Sequence, residues 1–293
     1  MDDRDISIII PVLNEEKRIE NCLNSIYNQN FKGSFIVIIV DNGCTDNTFE
    51  VIKHYPYIKI VHDFGSLGSA RQTGIETAKS PKIVFIDADE VADENWLTEL
   101  YKYSENFDAV LGSIKTSPIN KNNKIHQYFS SLSNLSISYT PKELNIITFG
   151  SGNVLINREK TLSVGFDRFM PTSEDGDFSY RFLKNKNTIR INPNAIIYHE
   201  VPDSIFKYIK YQEKLAYGQI LLIKKHKNID LVNQYFISLL YPISPLFISR
   251  IIRTEREFKL YYLILGLINF LVFIFSLYKL LLPNSSQKII RPK

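Results

Sequence analysis

This 293-residue sequence contains little cysteine and has only a small excess of positive charge. The two cysteines, Cys22 and Cys44, are too few for a disulfide framework and lack the spacing of a metal site, which fits a reducing compartment. A net charge of +4 does not require a nucleic-acid partner, and we expect none. The N-terminus also lacks the apolar segment of a signal peptide, so we expect any membrane attachment to come from the other end.

Apolar residues, by contrast, are plentiful enough for a full core. They make up 44% of the chain, and the length allows one large domain or two small ones. Short apolar runs alternate with helical patterns, which predicts an α/β fold with a mostly parallel sheet and helices on both faces. The runs predicted as strands are 6–12, 35–40, 58–61 and 83–86.

Polar side chains follow three of these predicted strands. They are Asn14 and Glu15, then Asp41, then Asp87 with Asp89. Because ligands of open α/β sheets bind beyond the carboxyl ends of the strands, we expect these groups to converge on one binding edge. A nucleotide lying across that edge could donate a base N–H to Asp41.

The acids after the last strand, Asp87 and Asp89, allow two interpretations. An Asp-x-Asp pair offers hard oxygen ligands suited to Mg²⁺ or Mn²⁺ carrying a phosphate, whereas an isolated pair is more often a solvated loop before a helix. Arg71 also allows two, a phosphate contact or an ion pair with Asp41 or Asp87. The glycines from 65 to 74 lack the spacing of a dinucleotide-binding loop, which disfavours a dehydrogenase.

Four short blocks resemble a known family. In order and spacing they look like the N-terminal blocks of the family 2 glycosyltransferases, and they lie at 11–16, 40–46, 68–74 and 87–89. The resemblance implies the Rossmann-like GT-A fold, inversion at the anomeric carbon, a UDP- or GDP-sugar donor and a divalent metal, Mg²⁺ or Mn²⁺. One departure is Cys44, where the family usually has serine; a small side chain is kept, so we expect little consequence.

The resemblance also implies roles for residues on the donor side. Asp41 would read the base, Asp87 would bridge metal and ribose, and Asp89 would bind the metal. The nucleotide-sugar contacts that the blocks imply are Pro11, Asn14, Glu15, Asp41, Arg71, Asp87 and Ala88.

On the acceptor side, Gly152 and Asn153 resemble the family's segment beside the donor sugar and acceptor. Glu174 and Asp175 match the family's Glu-Asp block, in which the second acid is the usual catalytic base. The resemblance therefore places the base on Asp175. Displacement at an anomeric carbon with inversion needs one carboxylate to take the proton of the acceptor hydroxyl.

The acids of this block also suit the start of a helix, whose dipole favours negative charge, so a purely structural role is the alternative. We expect Asp177 and Arg181 to orient the helix and the base. His199, after a later strand, is interpreted either as an added metal ligand or as a hydrogen-bonded surface histidine.

The predicted catalytic domain covers 1–202. Its nucleotide-sugar half is 1–115 and its acceptor half is 116–202, within which 128–138 could form a flap over the site.

The rest of the chain suggests a membrane. Amphipathic or interfacial helices are predicted at 203–259, because apolar residues share one helical face there. The run 260–282 is apolar apart from Lys279 and is long enough to cross a bilayer, and a basic tail follows at 283–293. One span would leave Lys288, Arg291 and Lys293 on the far side of the membrane, against the positive-inside rule, whereas two spans would place the arginine-rich loop there instead, so the number of spans stays open.

Together these features predict a membrane-attached inverting glycosyltransferase of the hexosyltransferase type, with its catalytic domain in the cytoplasm, where nucleotide sugars are made. The predicted membrane segment favours a lipid-linked or surface-glycan acceptor. A nucleotidyltransferase of related fold would need a basic loop near the first strand, where Asn14 and two glutamates stand. The other alternative is a non-catalytic membrane scaffold, against which the intact Asp87, Asp89 and Asp175 argue.

Overall fold

A computed structural model describes residues 4–117, 148–202, 204–228 and 230–231, together with 263–264, 266–272, 274–275 and 278. The chain divides into two compact units, Met1–Asp203 and Ser204–Lys293. The first is an α/β unit, and the second is helical over most of its described residues.

The described part of the first unit contains eight strands and six helices. The strands are β1 (Ile6–Val12), β2 (Phe35–Asp41), β3 (Ile58–His62), β4 (Lys82–Phe85), β5 (Glu90–Ala92), β6 (Ala109–Thr116), β7 (Val154–Asn157) and β8 (Ile189–His199). The helices are α1 (Ile19–Tyr27), α2 (Thr48–Ile52), α3 (Leu67–Thr77), α4 (Trp96–Tyr101), α5 (Arg158–Val164) and α6 (Glu174–Lys184).

All eight strands join one sheet in the order β3-β2-β1-β4-β7-β6-β8-β5. Strands β3, β2, β1 and β4 are parallel, as predicted, but β7 is antiparallel to both β4 and β6, and β5 is antiparallel to β8. The sheet is therefore mixed: β6 and β8 in its second half are also parallel, but the prediction of a mostly parallel sheet missed the antiparallel strands β7 and β5. An apolar run indicates burial but not strand direction, which depends on the connection that precedes it.

Strands β1, β2 and β4 of the parallel half are mostly buried, as their continuous apolar runs predict, whereas the edge strand β3 is partly exposed. Every residue of β1 is buried; Ile8 and Ile10 belong to one core cluster and Ile9 to the other. Helices α1 and α4 contribute to the first cluster, which includes Cys22, and α3 and α6 contribute to the second. With both faces packed, polar groups gather at the strand ends.

The second unit begins with α7 (Ile205–His226). On its predicted apolar face Ala216, Ile220 and Ile223 are buried, whereas Ile205 is exposed. Within the described residues no helix is both long and apolar enough to cross a bilayer. Part of the predicted transmembrane helix at 260–282 lies outside the described residues. The expected flap at 128–138, the segment after residue 231 and the tail at 283–293 also lie outside them.

Candidate active site at the carboxyl edge of the sheet

Asp41, the last residue of β2, forms one corner of the site. Its Oδ1 accepts hydrogen bonds from the backbone N–H groups of Gly43 (3.0 Å) and Cys44 (2.9 Å), and its Oδ2 lies 2.9 Å from Nδ1 of His62. Burial raises the pKa of Asp41, but the hydrogen bonds from Cys44, His62 and Gly43 more than offset burial and hold the pKa below its ordinary value. The result is an oriented, ionised carboxylate at the edge of the sheet.

His62 was not predicted as a site residue. It ends β3, which runs parallel to β2, and it is the register partner of Asp41. Because an ionised carboxylate can only accept, His62 donates its Nδ1–H. A signal was available in the sequence, since a histidine that ends one predicted strand stands beside an acid that ends its neighbour.

Asn14 ties the turn after β1 to the turn after β2. Its backbone is left-handed, with φ of 57°, a conformation that asparagine adopts more readily than most residues. Its side-chain oxygen accepts from the N–H of Thr45 (2.8 Å), and its own N–H donates to Sγ of Cys44 (3.3 Å). Cys44 therefore supplies a hydrogen-bond acceptor where the family usually has serine. Pro11 lies buried in β1, next to this turn.

Glu15 reaches the site through a partner that the sequence did not reveal. Its carboxylate accepts two hydrogen bonds from Arg18, at 2.6 and 2.8 Å, and Nη1 of Arg18 lies 3.5 Å from Oδ2 of Asp89. Burial raises the pKa of Glu15, although Arg18 opposes that rise. Glu15 thus positions a guanidinium beside the Asp-x-Asp pair.

Arg71 lies on α3 and is buried at the centre of the site. Its guanidinium forms ion pairs with Asp87, at 2.6 Å, and with Glu174. Of the two acids considered from the sequence, Asp87 is its partner and Asp41 is not. Burial alone would lower the pKa of Arg71, but Asp87 and Glu174 raise it. A buried guanidinium between two acids joins the strand-end carboxylates to α6.

Glu90 fixes the turn that carries the Asp-x-Asp pair. It is buried, and its Oε2 accepts the backbone N–H of Asp87 at 2.8 Å. Burial, followed by the charge of Asp87, raises the pKa of Glu90 well above its ordinary value. Gly152 packs against it, because a Cβ at this position would lie 2.6 Å from Oε1 of Glu90. Ala88 is buried between the two aspartates.

Asp89 and His199 meet because β5 pairs with β8 in a register that sets Glu90 opposite His199. Nε2 of His199 lies 3.5 Å from Oδ2 of Asp89. Burial lowers the pKa of His199, but the hydrogen bond and the charge of Asp89 raise it by more than burial lowers it, so the pKa lies above its ordinary value. The pKa of Asp89 is lowered, since His199 and Arg18 outweigh its burial.

The donor set at Asp89 suits a divalent metal that arrives with a phosphate. In the described part of the chain no three His, Cys, Asp or Glu side chains converge on a preformed metal site. Mg²⁺ is commonly bound through one or two carboxylates, with phosphate and water oxygens completing its shell. Asp89, with His199 beside it, fits that mode of binding.

Asp175 lies in the first turn of α6, half-buried. The N–H of Gly176 donates to its Oδ1 at 2.7 Å, and a Cβ on Gly150 would lie 3.6 Å from its Oδ2. Ser173, just before this turn, has a left-handed φ of 54°, an unfavourable conformation for serine that the surrounding structure must hold in place. The left-handed backbone of Ser173 and the burial of Glu174 thus fix the start of α6 and, with it, the position of Asp175.

Asp177 and Arg181 have the structural role expected of them. Asp177 is fully buried, and its Oδ2 accepts from Arg181 at 2.9 and 2.7 Å. Arg181 also donates to the carbonyl oxygens of Val164 and Gly165, so the pair anchors α6 to the loop before it.

Asn153 is enclosed by protein on all polar sides. Its Oδ1 accepts from Nε1 of Trp96 (2.8 Å), and its Nδ2 donates to the carbonyl oxygens of Ser113 (2.9 Å) and Ala195 (3.0 Å). These contacts give it a structural role among β6, β8 and α4, although the resemblance placed it beside the donor sugar.

A second cluster, which the sequence did not indicate, clamps the loop between α5 and α6 onto α3. Nη1 of Arg168 lies 3.1 Å from Oδ2 of Asp63 and 3.0 Å from Oγ1 of Thr73, and Nη2 lies 2.7 Å from Glu76. The hydroxyl of Ser66 donates to the carbonyl oxygen of Arg168 (2.7 Å). This cluster supports α3, on which Arg71 lies.

The predicted site residues thus fall into three groups. Asp41 and His62 form one corner, and Asp87, Asp89 and His199 form the centre. Asp175 lies on α6, which Arg71 joins to the centre through Glu174. The parallel β3-β2-β1-β4 arrangement with acids at its carboxyl edge places the chain among the open α/β proteins, whose ligands bind beyond the carboxyl ends of the strands.

Comparison with known proteins extends this assignment. Residues 7–164, more than half of the chain, match the model of glycosyl transferase family 2, and the chain belongs to that family.

Among its curated relatives, the poly(ribitol-phosphate) beta-N-acetylglucosaminyltransferase TarP of Staphylococcus aureus (strain N315) is 26% identical over 68% of this chain and 63% of its own length. The dolichyl N-acetyl-alpha-D-glucosaminyl phosphate 3-beta-D-2,3-diacetamido-2,3-dideoxy-beta-D-glucuronosyltransferase of Methanococcus voltae is 28% identical over 75% of this chain and 74% of its own. The chain thus spans less than two thirds of TarP.

A solved structure shares the fold. The mannosyltransferase PcManGT from Pyrobaculum calidifontis, in complex with GDP-Man and Mn²⁺, superposes with a TM-score of 0.62 at 15% identity, over 94% of this chain and 88% of its own. The predicted GT-A type of α/β fold is confirmed at this level.

Proposed function

We propose that this chain is an inverting glycosyltransferase that moves a sugar from a UDP- or GDP-sugar to a hydroxyl acceptor. The observation that carries the proposal is the buried Arg71, which pairs with both Asp87 and Glu174. One guanidinium thereby holds the carboxylates expected on the donor side next to the helix that carries the expected base, Asp175. Membership of glycosyl transferase family 2 supports the same reaction.

In this proposal Asp175 takes the proton of the acceptor hydroxyl. Its Oδ1 is held by the N–H of Gly176, while Gly150 leaves space beside Oδ2. Asp41 accepts a base N–H, for which its ionised state is suited. Asp89, with His199 beside it, would hold a divalent cation, and Asp87 would contact both the cation and the ribose. The cation would supply positive charge to the departing diphosphate.

The acceptor is proposed to be a growing polymer or a lipid-linked glycan. The names of the two relatives specify poly(ribitol-phosphate) for one and a dolichyl phosphate for the other, so both classes occur among similar proteins. We further propose that the chain is membrane-attached through its second unit, by the transmembrane segment at 260–282 or by surface contact. Its catalytic unit would face the cytoplasm, where nucleotide sugars are made.

The test is release of nucleoside diphosphate from a panel of nucleotide sugars, with and without Mn²⁺, by detergent-solubilised chain supplied with membrane lipid extract. We expect metal-dependent turnover of one donor, lowered at least about a hundredfold in Asp89→Asn. The matched control is Asp5→Asn, because Asp5 precedes β1 at the opposite edge of the sheet and bonds to Ser34. Full turnover in Asp89→Asn would remove the metal role, and failure of every donor to bind in the presence of metal would favour a non-catalytic scaffold.

A further inference from the structure

Charge is divided unevenly between the two units of the chain. Residues 204–293 contain 14 Lys and Arg against 4 Asp and Glu, whereas residues 1–203 contain 21 against 27. The second unit is therefore strongly basic, while the unit that carries the candidate active site is slightly acidic. A basic unit of this kind is attracted to an anionic surface.

On α7, aromatic and lysine side chains share one face. At about 100° per residue, Phe206, Lys210, Lys214 and Tyr217 fall within an arc of roughly 80°. All four are exposed, Phe206 by 66%, and Nζ of Lys210 lies 4.5 Å from the centre of the Phe206 ring. Exposed rings with ammonium groups beside them are typical of helices that lie at a membrane surface.

The helical residues between 263 and 278 carry a second exposed face, which is apolar. At about 100° per residue its members lie within an arc of roughly 120°. They are Leu263, Ile264, Leu267, Leu271, Ile274, Phe275 and Tyr278, with exposures from 36% to 59%. Seven large apolar side chains on one helical face exceed the scattered exposure that is normal at a protein surface.

The opposite side of the same segment contacts α7. The hydroxyl of Tyr208 donates to Oδ1 of Asn269 at 2.7 Å, and Gly266 is buried. Asn269 lies about 160° around the helix from Leu271, so the apolar face points away from that contact. The single amide within this stretch has its partner in α7, and the outward face is left to an apolar environment.

We propose that the second unit docks on the surface of a bilayer that contains anionic lipid. The apolar face at 263–278 contacts the acyl chains, and the lysines and aromatic rings of α7 lie at the level of the headgroups. The charge of the unit selects an anionic bilayer over a neutral one, and the apolar face selects a bilayer over a soluble polyanion. Docking of this kind specifies how the membrane attachment proposed above would occur, and it does not depend on the transfer reaction.

The test is flotation of the full chain with vesicles of phosphatidylcholine alone and with vesicles in which part of that lipid is replaced by phosphatidylglycerol. We expect binding to the second kind that weakens as salt is raised. Because each basic residue near an anionic surface contributes about fivefold in binding, Lys210→Glu combined with Lys214→Glu should weaken binding by roughly twentyfold or more. Leu267→Glu combined with Leu271→Glu should weaken binding to a similar or greater extent, since it places charge in the apolar layer.

Matched controls lie on the first unit: Lys59→Glu for charge and Leu162→Glu for an exposed apolar side chain. Both should bind vesicles as the wild type does. The proposal is overturned if neutral and anionic vesicles bind equally, or if the chain stays fully bound at high salt, as a spanning helix would. It is also overturned if the chain does not bind vesicles and the changes at Leu267 and Leu271 abolish its self-association instead. Donor turnover in detergent, measured on the same variants, separates the two proposals, because docking without turnover contradicts only the proposed function.

Discussion

The parallel half of the sheet and the half that contains β5 to β8 contribute to the site in different ways. In the parallel half, Asp41 ends β2 and Asp87 lies two residues after β4, so the strand order alone brings them to one edge. In the other half, Asp175 and His199 reach that edge through long-range contacts. These are the ion pair of Arg71 with Glu174, 103 residues apart, and the pairing of β5 with β8.

The difference shows that a neighbouring pair of acids in the sequence predicts the position of a site less well in the second half than in the first. On α6, Asp175 is half-buried at the site, while Asp177, two residues later, is fully buried in an ion pair with Arg181. Two acids in similar sequence context therefore differ in their surroundings, and we propose a chemical role for Asp175 and a structural role for Asp177. Substitutions at three positions test whether these roles can be separated and how the two halves of the sheet depend on each other.

The largest effect is expected at Asp175. Asp175→Asn should lower kcat by about 10²- to 10⁴-fold, because the amide cannot take a proton from the acceptor, and it should leave the free energy of unfolding unchanged. Asp177→Asn is the matched change on the same helix. It should lower the free energy of unfolding by about 1–3 kcal/mol, since the partner of Arg181 loses its charge. Single-turnover kinetics and urea unfolding of both variants measure the contrast.

The contrast fails if Asp177→Asn loses turnover as severely as Asp175→Asn while both stay equally stable. In that case the base would not be confined to Asp175, and the buried ion pair would belong to the chemistry.

Arg71 joins the two halves, and its removal should be the most damaging to stability. Arg71→Ala leaves Asp87 and the buried Glu174 without their cation, and breaking a buried pair in this way costs about 3–5 kcal/mol. Arg18→Ala is the control, since the side chain of Arg18 is 40% exposed and its ion pair should contribute less than about 1 kcal/mol. Urea unfolding measures both, and equal losses would show that Arg71 does not hold the halves together.

The parallel half could be read from the sequence because its signals are local. A continuous apolar run predicts a strand buried on both faces, and a polar residue directly after it predicts a strand end. The positions of Asp41, Asp87 and Asp89 follow from those two signals and the parallel arrangement. The same reasoning applies to His62, which directly follows the predicted strand 58–61 and ends β3 in the structure.

The second half could be read only in part, because its contacts depend on strand direction and side-chain reach. Periodicity did not give the antiparallel direction of β7, nor the pairing of β5 with β8 that sets His199 beside Asp89. A resemblance placed Asn153 near the sugar, yet its amide is turned into the core towards Trp96. A matching block fixes where the backbone runs, whereas the orientation of each side chain depends on the packing around it.

The smallest change in stability is expected from the cluster that clamps the loop before α6 onto α3, where the contribution of Asp63 depends on pH. Burial raises the pKa of Asp63, but hydrogen bonds from Thr73, Gly65 and Ser69, with the charge of Arg168, more than offset burial and hold it below its ordinary value of 3.8. A carboxyl whose pKa is lowered by folding contributes stability above its unfolded pKa, and that stability is lost as the pH falls through the folded pKa. Asp63→Asn should therefore be less stable than the wild type at neutral pH, and the difference should shrink as the pH falls below 3.8.

A double-mutant cycle of Asp63→Asn with Arg168→Gln isolates the ion pair from the rest of the cluster. Because the side chain of Arg168 is 37% exposed, solvent screens the pair, and the coupling at neutral pH should be no more than about 1 kcal/mol. The coupling should vanish at acidic pH, where Asp63 is protonated in both states. Urea unfolding of the four chains at the two pH values measures it. A coupling that persists unchanged at acidic pH would mean that packing, rather than charge, clamps the loop to α3.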